Sequence, residues 1–469
     1  MARGMIHRLI EVFMEAAKTF SAACECADVE RLAVMIHRVM SYQSRQFHTL
    51  EHVFGFLGGE DGKPKADPET TLAAAFHDLV YYQVDDGLPP ELEELLGPYL
   101  RRDGPRLSAA PIGEGGARPE DRSYADCLAI FGFAPGQEIK SFGGLNEFLS
   151  ALAMAKCLEA HLPRATLASI ATCIEATIPF RGPGPDGRGI GEALESRLAR
   201  LSAEAGLGMD ETGIRAALRR AVVFANEDVR DFAAPDPGFF LSNTWKLLPE
   251  SNAPLRRKGS FSIREYRVAL QKMLGFFRSL EPGRVYHSYR GEPPAGEMAR
   301  LEAATRRNLE FAETYMQAKL LAVALVEAAA EVSGGDAPMA LFMGDLPGPG
   351  EEMETLASHL PDLPAPAWIH TGNPVYRLLK DGRLDESSFD LKNSPLALYL
   401  YHRLPPNHWG ERARSAEDFF AGRVSAGDYL AGFGPDFAAE FIGACEIMVP
   451  TRAKRLQAWF TAPADPPRS

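Results

Sequence analysis

Apolar residues recur at intervals of three and four positions along most of the chain, the spacing that places them on one face of an α-helix. This pattern predicts helices at residues 5–22, 27–42, 47–57, 69–82, 145–160, 164–177, 190–205, 211–226, 263–279, 297–333 and 412–421. Patterns typical of strands are confined to two short segments, 339–343 and 367–370. The chain is therefore predicted to have an all-α fold.

Proline and glycine interrupt this helical pattern in a few places. The segment GEPPA at 291–295 predicts a boundary between a first domain, residues 1–293, and a second, mostly helical domain, residues 296–469. Residues 101–126, rich in Gly, Pro and Arg, are predicted to form a long loop, more a mobile insertion than a lid. The loop 181–189 has the glycines of a phosphate-binding loop but not its Lys-Ser/Thr pair, so that motif is not matched.

Composition and charge narrow the class of protein. The 469 residues are 46% hydrophobic and 24% charged, which is typical of a globular protein. A net charge of −13, with one basic cluster at residues 256–258, argues against a nucleic-acid partner. No apolar run reaches the length of a membrane span, and the N-terminal segment has the pattern of an amphipathic helix. The six cysteines lack the paired spacing of a zinc site, so a cytoplasmic protein with reduced thiols is expected.

Histidine and carboxylate residues are concentrated in two motifs within predicted helices. His48 and His52 are four positions apart and would share one helix face, whereas the adjacent His77 and Asp78 would diverge by about 100° on a second helix. Both motifs lie in apolar runs, where an ionisable side chain without a partner is costly. Imidazole with carboxylate suits Mn, Fe, Zn, Ni or Mg better than a soft metal. The two motifs therefore predict a divalent-metal site.

These motifs resemble those of the HD superfamily of metal-dependent phosphohydrolases. In one branch of that family the first motif reads RxYHNxxH and the second FHDxVY; this chain has RQFHTLEH at 45–52 and FHDLVY at 76–81. Phe47 replaces the tyrosine and Thr49 the asparagine, and the HD cyclic-nucleotide phosphodiesterases share the first motif. The resemblance covers roughly residues 30–290 and implies an HD-type helical domain.

The resemblance also implies a set of four metal ligands. His52, His77 and Asp78 would be three of them, and the fourth would be a carboxylate late in the domain. Asp228, at the end of the apolar run 221–225, matches that position best. Glu175, in a helix that resembles another segment of the family, is the competing residue.

The implied activity is hydrolysis of a phosphoester in a small phosphorylated metabolite or nucleotide. In that mechanism a metal-bound hydroxide attacks phosphorus, His48 protonates the leaving oxygen and Arg45 holds a phosphate. A third departure is Pro179, which stands where other members of the family continue with polar residues and a histidine. The departures at Phe47, Thr49 and Pro179 leave an alternative open: an inactive metal-binding or ligand-sensing scaffold with a partner-binding C-terminal module. A diiron oxygenase of the same superfamily would need more His and carboxylate ligands than the sequence offers.

Overall fold

The computed structural model describes residues 4–20, 25–57, 67–113, 116–184, 187–346, 351 and 353–461. The chain divides into two compact units. Unit one comprises Met1–Ala233 with Leu280–Thr305, and unit two comprises Ala234–Ser279 with Arg306–Ser469. These units differ from the predicted division at 293–296, because residues 234–279 group with the later part of the chain. A discontinuous unit leaves no single break in composition that could reveal it.

Unit one is built from ten helices and one hairpin within the described residues, and it also contains the first residues of α14. The helices are α1 (Met5–Phe20), α2 (Cys26–Met40), α3 (Leu50–Leu57), α4 (Pro68–Phe76), α5 (Pro90–Leu96), α6 (Arg122–Phe131), α7 (Asn146–Leu158), α8 (Arg164–Ala176), α9 (Ile190–Ala205) and α10 (Glu211–Asp228). The hairpin pairs β1 (Leu100–Asp103) with β2 (Arg106–Ala109) in antiparallel register.

Among the described residues of unit two, helices are the only regular secondary structure. Its helices are α11 (Pro237–Trp245), α12 (Leu247–Ser251), α13 (Ile263–Ser279), α14 (Ala295–Ser333, which begins in unit one), α15 (Met339–Met343), α16 (Pro374–Asp381), α17 (Pro395–Arg403), α18 (Pro406–Phe420), α19 (Ala426–Ala431), α20 (Pro435–Met448) and α21 (Ala453–Thr461).

Helix α8 lies in the core of unit one. It packs against α4, α6, α7, α9 and α10, and residues 167–176 are all buried. Residues 72–76 of α4 are buried as well, which explains why most residues of both segments are apolar. Side-chain caps mark where the neighbouring helices begin: Asp67 Oδ1 accepts from the backbone N–H of Glu69, and Asp210 Oδ1 from that of Gly213.

The structure confirms the all-α prediction, with 65% of residues in helices and 3% in strands. Helices α9 and α13 begin and end where the periodicity predicts. The predicted helix 5–22 corresponds to α1, although residues 21 and 22 lie outside the described residues. Within the part of the chain that the structure describes, no helix combines the length and apolar character needed to cross a membrane.

Three local predictions are wrong. The predicted strand 339–343 is helix α15, and the predicted strand 367–370 is a turn with no strand. Short apolar runs do not distinguish the two structures, because their period cannot be read over four or five residues. The predicted loop 101–126 contains most of the hairpin and the start of α6, and residues 114 and 115 of it lie outside the described residues. The hairpin turns at Gly104, whose φ of 56° favours glycine.

Candidate metal centre

Four ionisable side chains from three helices of unit one converge. His52 lies on α3, and Asp228 is the last residue of α10. His77 caps the C-terminus of α4, its backbone N–H donating to the carbonyl of Ala73. Asp78 follows directly, after the helix has ended. The prediction that His77 and Asp78 lie within a helix over 69–82 is therefore wrong, because α4 ends at Phe76 and the chain turns there. Because α4 packs against both α3 and α8, and α8 packs against α10, the packing of the core brings these ends together.

The four donor atoms form a closed ring of short distances. His52 Nε2 lies 3.5 Å from Asp78 Oδ2 and 3.2 Å from Asp228 Oδ1. His77 Nε2 lies 3.0 Å from Asp78 Oδ2 and 3.7 Å from Asp228 Oδ1. Two adjacent donors that each lie about 2.1 Å from one ion are roughly 3.0–3.4 Å apart in octahedral or tetrahedral geometry. The donor atoms of His52, His77 and Asp228 all lie within 4.8 Å of one another, dimensions that suit a single divalent cation, and Asp78 adjoins this group.

Two atoms of this ring are buried without a hydrogen-bond partner: His77 Nε2 and Asp78 Oδ2. They lie close to each other but are not aligned for a hydrogen bond. The other ring nitrogen of His77, Nδ1, lies 2.9 Å from the carbonyl oxygen of Ala74. A carbonyl only accepts, so Nδ1 carries a hydrogen, and in the neutral ring Nε2 then presents a lone pair. This is the arrangement in which histidine binds metals, with a backbone carbonyl fixing the ring.

The electrostatics of the ring call for a positive charge at its centre. Burial raises the pKa of the Asp78 carboxyl, but the rings of His77, His48 and His52 outweigh it, so the net shift is downward. Burial also raises the pKa of Asp228, but the neighbouring imidazoles of His52 and His77 lower it overall. In His77 burial favours the neutral ring, but the two carboxylates raise its pKa well above the usual value. Protons on the imidazoles or a metal cation can supply this charge, and a donor set of imidazole and carboxylate suits a divalent cation.

Glu175, the competing residue for the fourth ligand, forms ion pairs with two arginines instead of contacting the ring. Its side chain is fully buried, and its Oε1 accepts from Arg181 Nη1 at 2.7 Å and from Arg197 Nη2 at 2.6 Å. Burial alone would raise the pKa of Glu175, but the two guanidinium groups lower it. Asp228, and not Glu175, thus completes the ring with His52.

His48 lies near the ring but not where the sequence places it. Helix α3 begins at Leu50, so His48 precedes the helix and does not share a helix face with His52. The backbone N–H of Thr49 donates to the carbonyl of Phe47, and this turn redirects the chain before the helix begins. The His48 ring packs 4.1 Å from the ring of Tyr81 and 6.4 Å from that of His52, measured between centroids.

Arg45 makes contacts other than those expected of a phosphate ligand. Its guanidinium is fully buried in an ion pair with Asp85, whose side chain is also fully buried. Its Nη1 donates to the carbonyl of Asp78 at 2.7 Å and its Nη2 to that of Leu79 at 2.9 Å. Asp85 is therefore an ion-pair partner and not the loop cap that its position before two prolines suggests. These contacts favour a role for Arg45 in positioning Asp78 over direct contact with a substrate.

Two further ionisable residues near the ring escaped sequence reasoning. Glu147 lies in the first turn of α7, between Asn146 and Ser150, which accept from the backbone N–H groups of Tyr82 and Val80 at 3.0 Å each. These bonds hold α7 against the segment that follows Asp78. Burial, with the charges of Asp78 and Asp228, raises the pKa of Glu147 to about 7. The sequence marks Glu147 only as an acidic residue shortly after two glycines at the start of a helix, and this pattern does not predict its burial.

The second missed residue is His287. Its backbone N–H donates at 2.8 Å to Oδ1 of Asn226, two positions before Asp228, and Asn226 Nδ2 donates back to its carbonyl at 2.9 Å. Burial and the charge of Arg181 lower the pKa of His287 to about 4. No spacing or motif in the sequence marks this histidine.

Comparison of the chain with protein-family models, with curated proteins and with solved structures finds no match. The interpretation of this site therefore depends on its own geometry and chemistry.

Proposed function

We propose that the protein is a metal-dependent phosphohydrolase or phosphodiesterase acting on a small phosphorylated metabolite or nucleotide, as the HD motifs imply. The observation that carries the proposal is that donor atoms of His52, His77 and Asp228 all lie within 4.8 Å of one another. Asp78 Oδ2 lies beside them, 3.0 Å from His77 Nε2, and both of these atoms are buried without a hydrogen-bond partner. These four residues would hold the ion. A divalent cation supplies Lewis-acid stabilisation of phosphoryl oxygens and lowers the pKa of a bound water.

Two groups of the chain would handle protons. His48 lies close enough to the ring for its charge to lower the pKa of Asp78, and imidazole titrates near neutral pH, so it is suited to protonate a leaving oxygen. Glu147, with its pKa near 7, can donate or accept a proton in the same range. Arg45 would act by holding the Asp78 backbone, because its own donors are directed at Asp85, Asp78 and Leu79.

Metal content and turnover together test the proposal. Protein purified without chelators is expected to hold one divalent ion per chain and to hydrolyse p-nitrophenyl phosphate or bis(p-nitrophenyl) phosphate. His77→Ala should lose both the ion and turnover. His48→Ala should keep the ion and lose about 10²–10⁴-fold in kcat, the usual contribution of a general acid.

His7, an exposed histidine of α1, provides the matched control, and His7→Ala should keep both properties. A chain that binds no metal, or whose metal survives His77→Ala, would contradict the proposal. A chain that holds the ion yet hydrolyses no phosphoester in a broad screen would fit the scaffold alternative instead.

A further inference from the structure

A cavity of about 450 Å³ in unit one is lined by four arginines: Arg181, Arg188, Arg197 and Arg200. Among the described residues that line it, none is acidic. The chain as a whole carries a net charge of −13. Four arginines around one cavity are therefore unusual for this protein. Like charges gathered in a cavity repel one another, and a bound anion would relieve that repulsion.

The four arginines are of two kinds. Arg181 and Arg197 are mostly buried and share the carboxylate of Glu175, which lies beneath them. Arg188 and Arg200 are exposed at the rim, and Nη1 of Arg188 donates to Ser196 Oγ at 3.0 Å. The two guanidinium groups of Arg181 and Arg197 share this single carboxylate, so the pair keeps an excess of positive charge. In addition, Nε of Arg197 is buried with no hydrogen-bond partner, so a donor beside the cavity is left unsatisfied.

Helix α9 begins at the wall of this cavity. Its N-cap, Gly189, and its first residue, Ile190, both line the space, and no side chain caps the helix start. The first backbone N–H groups of a helix and its dipole favour an anion at that end. One acid lies close by: Glu192 Oε2 is 2.5 Å from the position that a Cβ atom of residue 189 would occupy. Its charge would weaken anion binding without blocking the arginines.

Electrostatics link the cavity to the metal centre. Arg181, at the cavity, lowers the pKa of Glu147, and Asp78 and Asp228, in the ring, raise it. One carboxyl group thus lies within electrostatic range of both sites. All of these residues belong to unit one.

We infer that the arginine-lined cavity binds the di- or triphosphate group of a small anion. Arginine suits this ligand because its planar fork donates two parallel hydrogen bonds to phosphate oxygens. The group could be part of the substrate itself or of a separate effector. The inference that the cavity binds a di- or triphosphate group does not depend on the proposed function. The further inference that this group belongs to the substrate rests on the proposed function.

Binding of inorganic tripolyphosphate to the metal-free full-length protein, measured by titration calorimetry, tests the site. We expect Arg188→Ala/Arg200→Ala to weaken binding at least tenfold, and Glu192→Gln to strengthen it. Arg101→Ala/Arg106→Ala removes the same charge from exposed positions on the hairpin and should leave affinity within about twofold, because distant surface charges are screened. Equal affinity in wild type and Arg188→Ala/Arg200→Ala, or no binding to wild type, would overturn the inference.

Kinetics then separate the two sources of the phosphate group. If it belongs to the substrate, Arg188→Ala/Arg200→Ala should lower kcat/KM at least tenfold more for a nucleoside triphosphate than for p-nitrophenyl phosphate, which has no di- or triphosphate group. If it belongs to an effector, tripolyphosphate should alter turnover of p-nitrophenyl phosphate in wild type only, without competing with it. A chain that turns over neither compound yet loses tripolyphosphate binding in the double variant would refute the proposed function and keep the cavity.

Discussion

Unit one contains two buried carboxylate clusters that differ in their partners. Glu175 is fully buried and paired with the guanidinium groups of Arg181 and Arg197. Asp228 is paired with imidazoles, and the ring to which it belongs keeps two buried atoms without hydrogen bonds. Arginine has no lone pair and is always charged, so it neutralises a carboxylate but cannot ligate a metal beside it. Histidine can do either, and only the cluster with histidine partners retains free ligand atoms.

This difference separates a structural cluster from a candidate reactive one. Both carboxylates lie near the C-terminal end of a core helix, and the sequence treats them as competitors for the same role. What distinguishes them is the set of side chains that packing brings to each, over sequence separations as large as 176 residues for His52 and Asp228.

The largest expected effect concerns stability at the arginine cluster. Glu175→Ala leaves two largely buried guanidinium groups without their carboxylate, which should lower the free energy of unfolding by about 3–5 kcal/mol. Urea denaturation of metal-free protein would measure it. Asp228→Ala, the matched change in the other cluster, should cost less, because it removes a carboxylate from a site with excess negative charge. Equal losses in the two variants would show that the clusters do not differ in this way.

Metal affinity should show the reverse ranking. Asp228→Asn removes a ligand oxygen and should weaken binding of the divalent ion by more than about 10²-fold, since the loss of an outer hydrogen bond to a ligand alone costs 10–100-fold. Glu175→Gln should leave the affinity within a few-fold of wild type. Titration with Zn²⁺ or Mn²⁺ against a competing chelator would measure both. A large loss in Glu175→Gln with none in Asp228→Asn would assign the fourth ligand to Glu175.

The features of the two clusters that depend on local sequence pattern could be predicted from the sequence. Periodicity predicts the core helices, since each must bury an apolar face. The four ring residues were predicted through a family resemblance, and the structure brings their donor atoms together. Whether they bind a metal stays a prediction.

Other features depend on contacts that a linear pattern does not contain. Arg45 has the same side chain whether its partner is a phosphate or Asp85, and only the fold shows that Asp85 is within reach. His48 shares a period with His52, yet a turn at Phe47 ends that relation before the helix begins. Glu147 is a common helix-start residue until its burial near two carboxylates changes its pKa.

Added metal should stabilise the fold through the ring alone. A divalent ion at a hundredfold excess over its Kd should raise the free energy of unfolding by about 2.7 kcal/mol, because it binds the folded state only. Thermal unfolding with and without Mn²⁺ or Zn²⁺ would show this as a rise in Tm. His77→Ala should abolish this rise in Tm. Glu175→Gln should have a lower Tm than wild type without metal but show the same rise when metal is added. A rise of the same size in His77→Ala would place the ion elsewhere.

The smallest expected effect is a pH dependence at Glu147, which lies between the two clusters in electrostatic terms. Its folded pKa of about 7 exceeds the ordinary value of 4.5, so folded protein binds the extra proton more tightly than unfolded protein does. The resulting cost in stability is absent below about pH 4.5, grows as pH rises to 7 and is constant above it. Glu147→Gln should remove that cost.

In metal-free protein we therefore expect Glu147→Gln to match wild type near pH 4.5 and to exceed it by about 1–2 kcal/mol at pH 8, a value discounted for partial exposure. Bound metal should shrink the difference, because a cation in the ring offsets the charges of Asp78 and Asp228 that raise the pKa of Glu147. Urea denaturation across this pH range is the measurement. A difference that is independent of pH would contradict the raised pKa of Glu147, and a difference that metal leaves unchanged would place Glu147 outside the field of the ring.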